Sequence, residues 1–456
     1  MAQRQVEVGE VSAELADADL GDVRLGKRLC SLAERLAARP AASFPKALSD
    51  AELEAAYRFF GNDAVTPEAI LAPHFRQTAR RASSLPQVIV VHDTTAFEFG
   101  GQTKRRGLGH LIRPAAQGFF GHFSLALSAD GQRTPLGLLA VETVFRLKKR
   151  IGHKNWTPDR SLGESARWLR CAEAVEESLG GRAQAIHVAD REGDQFTLLR
   201  ALSDAGHPFV IRSFQDRRLV DGDEVRLRAA ARSAKVTFRR EVPLSPRPKL
   251  FGPKGQRHPA RRFRVARLCF AATTVELKRS SLRLNVIHVF ERKPPPGQPA
   301  VEWFLLTNLP TDSDEAIAFA VDCYRARWTI EEYFKALKTG CQFEKRQLES
   351  AHSLLNALAI LAPVAWRLLL LRHLARAAKP PPASSALTMK QLEVLRAVTK
   401  KPLPRRPTTR DAMLAVARLG GHLKNNGDPG WLVLGRGMHD LLLLEMGWRA
   451  REDAEK

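Results

Sequence analysis

Val88-Ile89-Val90-Val91-His92-Asp93 and Ala185-Ile186-His187-Val188-Ala189-Asp190 are two short, nearly continuous apolar runs, and each ends on an aspartate. Short apolar runs of this length read as strands. Acids at the carboxyl ends of such strands sit where open α/β sheets place their sites. Side chains alternate across a strand, so His92 should face away from Asp93, and His92 and His187 read as structural residues rather than ligands. Either aspartate alone would read as a turn or cap residue. The repetition of the pattern gives the pair its interest.

Working outward, residues 11–80 read as helices, with Leu25, Leu29, Leu32 and Leu36 at helical spacing. Strand-like runs follow at Val88–Val91, Phe123–Leu127 and Leu136–Val141, then a helical pattern at Glu164–Leu179 before the second aspartate run. Beyond a helix expected over Gln195–Ala205, strands return at Phe209–Arg212, Val265–Ala271, Leu282–Val289 and Trp303–Thr307, which reads as an all-β insertion. A long helix is expected from Ser313 to about Lys338, opened by the capping chemistry of Asp312-Ser313-Asp314. A second helical region, Ser350–Ala378, runs into the linker signal Lys379-Pro380-Pro381-Pro382, and a small helical tail starts near Ala386. The alternation makes the fold class mixed α/β, flanked by helical segments.

The expected 313–338 helix carries a third acid. Stepping ~100° per residue from Tyr324, Arg327 falls at about −60°, Glu331 at about −20° and Lys338 at about −40°. Four polar residues thus share one narrow face beside the apolar stripe Phe319, Cys323, Ile330, Phe334 and Leu337. Glu332 falls off that face, leaving Glu331 as the candidate. An intrahelical Arg327–Glu331 pair is worth only ~0.2–0.5 kcal/mol and would not account for Tyr324 or Lys338.

Composition narrows the partner. The chain has 456 residues, with 72 Lys+Arg against 49 Asp+Glu, a net +23. Residues 1–85 hold 11 basic and 12 acidic groups, 86–380 hold 48 and 29, and 381–456 hold 13 and 8, so the middle carries the field. Within it, Arg212–Arg264 sets 16 basic residues against 5 acidic ones, a run better explained by phosphate contact than by a merely solvated loop. Five cysteines without a CxxC pair speak against a disulfide framework and a thiolate zinc site, and fit a reducing cytoplasm. Met1–Leu15 lacks a basic region followed by an apolar stretch, so no secretory signal is expected. The apolar run near Leu354–Leu371, interrupted by Pro363 and Arg367, falls short of the ~20 clean residues a bilayer span needs and is expected to be a buried helix, with no membrane partner.

Three carboxylates without clustered histidine or cysteine suit a hard divalent cation, Mg²⁺ or Mn²⁺, bound through oxygen. Two such ions roughly 3.5–4 Å apart can activate the attacking oxygen and stabilise the leaving oxygen of an in-line displacement at phosphorus. Joined to a basic surface, this predicts phosphodiester chemistry on nucleic acid, with Tyr324, Arg327 and Lys338 holding phosphates beside Glu331.

The stretch Tyr324-Arg325-Ala326-Arg327-Trp328-Thr329-Ile330-Glu331 to Lys338 resembles the Y-(2)-R-(3)-E-(6)-K signature of bacterial DDE transposases of the insertion sequence 4 group, transposon 5 type. Asp93-Thr94-Thr95 and Asp190-Arg191-Glu192-Gly193-Asp194 resemble that family's first and second acid motifs. Leu20–Arg24 and Ala56–Phe59 are similar to its helical end-binding domain, and Ala417–Gly421 to part of its C-terminal pairing domain, while Arg39-Pro40-Ala41-Ala42 departs from it in lacking polar and aromatic residues.

The resemblance implies an RNase H-like mixed-sheet core over 81–378, with a β-rich insertion at about 207–310. It also implies a DNA-end-binding helical domain over 1–80, and a linker and dimerisation domain over 379–456. Asp93, Asp190 and Glu331 would hold two Mg²⁺ (or Mn²⁺) ions, and Tyr324, Arg327 and Lys338 would contact phosphates near the cut. Arg212 matches a DNA-contacting arginine and Trp303 a tryptophan that stacks on a flipped base, Arg24 and Arg28 are candidates for phosphate contact in the helical domain, and Arg58 lies in its Ala56–Phe59 segment. The implied activity is cut-and-paste transposition in the bacterial nucleoid, by strand cleavage, hairpin formation and strand transfer. It would act on inverted-repeat ends and target DNA in a synaptic homodimer. The rivals are a metal-dependent nuclease without strand transfer and a non-catalytic DNA-binding derivative.

Overall fold

The structure, a computed structural model, describes residues 11–40, 42–100, 104–111, 116–146, 164–220, 225–244, 250–251, 257–258, 260, 262–278, 282–399, 402–423 and 427–454. Much of the basic, proline-rich stretch between 243 and 259, and Ala41, lie outside the described residues.

Four helices come first: α1 (Val23–Ala38), α2 (Phe44–Ala47), α3 (Asp50–Phe60) and α4 (Pro67–Ala82). Local chemistry sets their starts. Asp22 accepts the Arg24 N–H, Ser49 and Glu52 form a capping box, and Thr66 accepts from Ala69 with Pro67 in the first turn. Next come β1 (Gln87–Phe99), β2 (Gly109–His110), β3 (Gln117–Ser128), β4 (Pro135–Val144), α5 (Arg167–Leu179), β5 (Gln184–Ala189), α6 (Phe196–Asp204) and β6 (Phe209–Arg212). After these lie α7 (Leu227–Ser233), β7 (Val236–Leu244), the short pair β8 (Leu250–Phe251) and β9 (Arg257–His258), β10 (Arg264–Leu277), β11 (Leu282–Glu291) and β12 (Glu302–Thr307). The chain then closes with α8 (Asp314–Ala326), α9 (Trp328–Lys335), α10 (Ala351–Ala375), α11 (Met389–Val398), α12 (Thr409–Leu419) and α13 (Trp431–Ala454).

Two compact units divide the chain, Met1–Gln184 with Trp328–Lys456, and Ala185–Arg327. In the first, β1 and β3 pair antiparallel along their whole length and β4 takes the other edge of β3. Helices α4, α5 and α10 cover β4. Phe97, Phe99, Phe119 and Phe343 meet in one aromatic cluster. Helix α10 is apolar on all sides, and its most hydrophobic window is 94% buried, as expected of a core helix. In the second unit the strand order is β5–β6–β12–β11–β10–β7, parallel between β5 and β6 and antiparallel thereafter.

Four expectations need correction. Asp93 does not end a strand: β1 runs on to Phe99 because β3 continues to pair with it and Phe97 and Phe99 remain buried. The insertion expected over about 207–310 carries one helix among its strands, since α7 packs on β10 and β11, and its strands extend the β5–β6 sheet through β12. The helix expected over 313–338 is interrupted at Arg327, restarts as α9, and widens to a π-helical turn over Ala336–Gly340. The step of ~100° per residue therefore does not hold through the π-helical turn that carries Lys338. Finally, the Lys379–Pro382 stretch leads into packed chain rather than a free linker: Pro382 bridges Thr408, and Ala383 and Ser385 are buried.

Candidate active site

In the first unit, Asp93 faces Phe123 across the β1–β3 pair, and directly opposed residues point to the same side of a sheet. The Phe123 ring lies 5.6 Å from both Tyr333 and Phe334 of α9. The half-buried Asp93 therefore projects from the face that α9, the helix of Glu331, covers. Parity puts His92 on the other side, where it is buried and its Nδ1 lies 2.9 Å from the Ser124 hydroxyl, so its structural reading holds.

Lys338, on the π-helical turn, donates to the Ala96 carbonyl of β1 and sits 5.2 Å from the Phe97 ring. π-bulges recur at functional sites, where they re-aim a side chain. Burial lowers the Lys338 ammonium, while Glu344 and Glu98 oppose that shift. Glu344 also accepts the Glu98 N–H at 2.9 Å and lies 3.6 Å from Lys338 Nζ, so one carboxylate steadies both the strand and the lysine.

The residue after the first acid has supports that sequence reasoning missed. Thr94 Oγ1 accepts from Arg167 Nε at 3.1 Å and lies 2.9 Å from His122 Nδ1. Burial, reinforced by the Arg167 charge, pushes His122 down to about 3, so its ring is neutral and able to accept. The register Thr94↔His122 follows from the β-hairpin pairing, which neither motif announces.

In the second unit, Asp190 follows β5 and accepts the Glu192 N–H at 2.8 Å, capping a short turn. Parallel pairing of Ala189 with Ile211 sets this turn beside the end of β6, which carries Arg212. Burial lowers the Arg191 guanidinium, and the cations Arg212 and Arg228 push the same way against Tyr324 and Asp190. Four predicted residues, Asp190, Arg212, Trp303 and Tyr324, thus belong to one neighbourhood together with the unpredicted Arg191 and Arg228. Trp303 is half-buried and meets the Tyr324 ring edge-on at 5.8 Å. Arg212 Nη2 reaches the Glu302 carbonyl at 3.4 Å. Arg327 caps α8 at the end of this unit.

Among the helices before β1, Arg24, Arg28 and Arg58 are exposed, with Arg24 paired to Asp22 and Arg58 to Glu54. The departing segment Arg39–Ala42 has a packing role. The buried Arg346 guanidinium donates to the Pro40 and Ala42 carbonyls, and burial pushes it down to about 10.

The acids are divided between the units, Asp93 and Glu331 in the first and Asp190 in the second. Among the described residues, neither unit by itself gathers three His, Cys, Asp or Glu side chains able to hold a metal ion. Chemically the trio still suits a hard cation, since all three are carboxylates.

Residues 10–65 match the family model described as transposase DNA-binding, and residues 141–366 match that of the transposase DDE domain. The second match includes Asp190 and Glu331 and begins after Asp93. A DDE domain has an RNase H-like core, the fold class expected above. A piggyBac transposase solved by cryo-EM as a synaptic complex with hairpin DNA is similar over 81% of this chain and 74% of that one, at 12% identity and a TM-score of 0.37.

Proposed function

From a chain that joins a transposase DNA-binding domain to a transposase DDE domain, we propose a cut-and-paste transposase of the insertion sequence 4 group, transposon 5 type. It nicks the ends of its element to expose 3′-hydroxyls, forms and reopens hairpins, and transfers the strands into target DNA. Each step is an in-line substitution at phosphorus that differs only in the oxygen nucleophile. Asp93, Asp190 and Glu331 would hold the divalent ions, which would supply Lewis-acid activation of the attacking and leaving oxygens. Tyr324, Arg327, Lys338 and Arg212 fix the phosphates so that the reacting strand lies in line. Trp303 receives an unstacked base, which offsets the cost of distorting the strand. Arg24, Arg28 and Arg58 engage the element ends, residues 379–456 pair two subunits, and the reaction takes place in the cytoplasm.

The observation that carries this reading is the packing of α9, through Tyr333 and Phe334, on Phe123, the cross-strand neighbour of Asp93. An acid of β1 on the face packed by the helix of Glu331 supports a common role for the two. The test uses supercoiled DNA carrying the repeats that flank the reading frame, with Mg²⁺. Wild type yields joined products, while Glu331→Ala binds the same DNA but neither cuts nor joins. Cutting by Glu331→Ala would remove this acid from the mechanism, and linear fragments without joined product from wild type would favour a nuclease.

A further inference from the structure

Phe214 follows β6 by two residues, and its side chain is among the most exposed large apolar groups of the chain, at 62%. Burying a phenylalanine ring is favourable, and this position forgoes that gain. Single exposed apolar residues are ordinary. The backbone beneath this one is not. Asp194, whose side chain is fully buried, accepts the Phe214 N–H at 2.6 Å and the Gln215 N–H at 2.8 Å, and pairs with Arg217. Arg228 Nη2 donates to the Phe214 carbonyl at 2.8 Å, and its guanidinium lies 5.7 Å from the Phe304 ring. Both sides of the Phe214 peptide are thus clamped by charged groups, one of them a carboxylate taken wholly out of water at considerable desolvation cost.

A rigid ring held out to solvent is what a stacking platform requires, because little ordering entropy remains to be lost on binding. Its surroundings specify the ligand. The parallel register of β5 and β6 sets Arg191 and Arg212 at the same carboxyl edge, and Ser213 N–H donates to the Phe304 carbonyl, so β12 flanks the same loop. No hydrogen bond or ion pair of the Arg191 side chain is found among the described residues. Arg191 and Arg212 thus set two positive charges at one edge, which a phosphate would offset.

We infer that Phe214, with Arg191 and Arg212, forms a subsite for one unpaired deoxynucleotide, its base stacked on the ring and its phosphate held by the two guanidinium groups. The subsite rests on the DNA reading above but is distinct from the role assigned to Trp303, which stands on a strand and faces Tyr324. Stacking on aromatics tolerates any base, so the subsite selects unpaired strand rather than sequence.

Fluorescence anisotropy of the full-length protein without divalent metal tests this, using a blunt duplex and the same duplex with a short unpaired oligothymidine arm. Wild type should prefer the armed duplex by about tenfold. Phe214→Ala should lose that preference while binding the blunt duplex as before, Phe214→Trp should retain it, and Arg191→Ala should weaken binding to the armed duplex alone. A preference left intact in Phe214→Ala overturns the subsite, as does an equal loss on both duplexes, which would mark Phe214 as structural. Failure of wild type to bind either duplex would overturn the DNA reading itself, and the subsite with it.

Discussion

Glu14, His74 and Arg81 form a buried charged network whose geometry fixes its protonation. Glu14 Oε2 lies 2.7 Å from His74 Nδ1, and Glu14 Oε1 accepts from Arg81 at 2.7 Å. His74 Nε2 accepts the Leu138 N–H at 3.1 Å, and since a backbone amide can only donate, the ring is neutral with its proton on Nδ1. Burial holds His74 below its ordinary value, against the pull of Glu14. Burial pushes Glu14 upward, but the hydrogen bonds and charges of His74 and Arg81 outweigh it and leave the carboxyl at about 2 instead of 4.5. The unfolded chain then binds the Glu14 proton first, so this stability is complete above pH ~4.5 and is lost as the pH falls toward ~2. Glu14→Gln should cost about 3 kcal/mol at neutral pH by leaving Arg81 without its counter-charge. It should also flatten the fall in melting temperature between those two pH values. Circular dichroism melts across that range decide it, and a wild-type melting temperature at neutral pH for Glu14→Gln would refute the network's contribution. None of this is visible along the chain, where Glu14 is one acid in a near-neutral stretch and its partners come 60 and 67 residues later.

Helices α12 and α13 approach so closely that glycine is required at the crossing. A Cβ on Gly437 would lie 1.8 Å from the Val416 carbonyl oxygen, and one on Gly420 2.1 Å from that of Val433. Replacing a helical glycine by alanine ordinarily gains ~1 kcal/mol. At Gly437 the obstacle is backbone that cannot turn aside, so overpacking should win and cost ~1–3 kcal/mol. Gly447 on the same helix meets nothing within 4 Å, so Gly447→Ala should stabilise by up to ~1 kcal/mol. Opposite signs of the two shifts in urea midpoint are the expected result, and two stabilising shifts would refute the close crossing. The elements themselves were legible wherever burial leaves a period: β6 spans the Phe209–Arg212 run, and β5, β11 and β12 fall within a residue or two of theirs. The break at Arg327 was not, because apolar spacing continues across it, and neither was the extension of β1 past Asp93, where Thr94-Thr95-Ala96 carries a weak apolar signal. The acids stand out in the sequence as motifs, but the partners around the first of them do not: Arg167 and His122 meet Thr94, and Glu344 meets Glu98 and Lys338, through pairing and packing across long sequence separations.

At the scale of the whole molecule, the charge that draws nucleic acid is not where the DNA-binding match lies. Residues 1–85 sum to −1, residues 86–380 to +19 and 381–456 to +5, whereas the transposase DNA-binding match covers 10–65. Contacts with phosphate supply affinity and a steep salt dependence, while discrimination between sequences comes from a few placed side chains. The two should therefore separate on mutation. Arg212→Ala, in the basic region, should weaken binding to unrelated duplexes to the same degree, and should reduce the steepness of log affinity against log salt by about one. Arg28→Ala, in the near-neutral helical segment, should instead narrow the preference for the flanking repeats over unrelated DNA. Its effect on unrelated duplexes at moderate salt should be small, because the +19 region continues to supply the attraction. Anisotropy titrations at several salt concentrations, on repeat and unrelated duplexes, measure both quantities at once. An unchanged slope for Arg212→Ala would place that side chain away from phosphate, and an undiminished repeat preference for Arg28→Ala would remove it from end recognition.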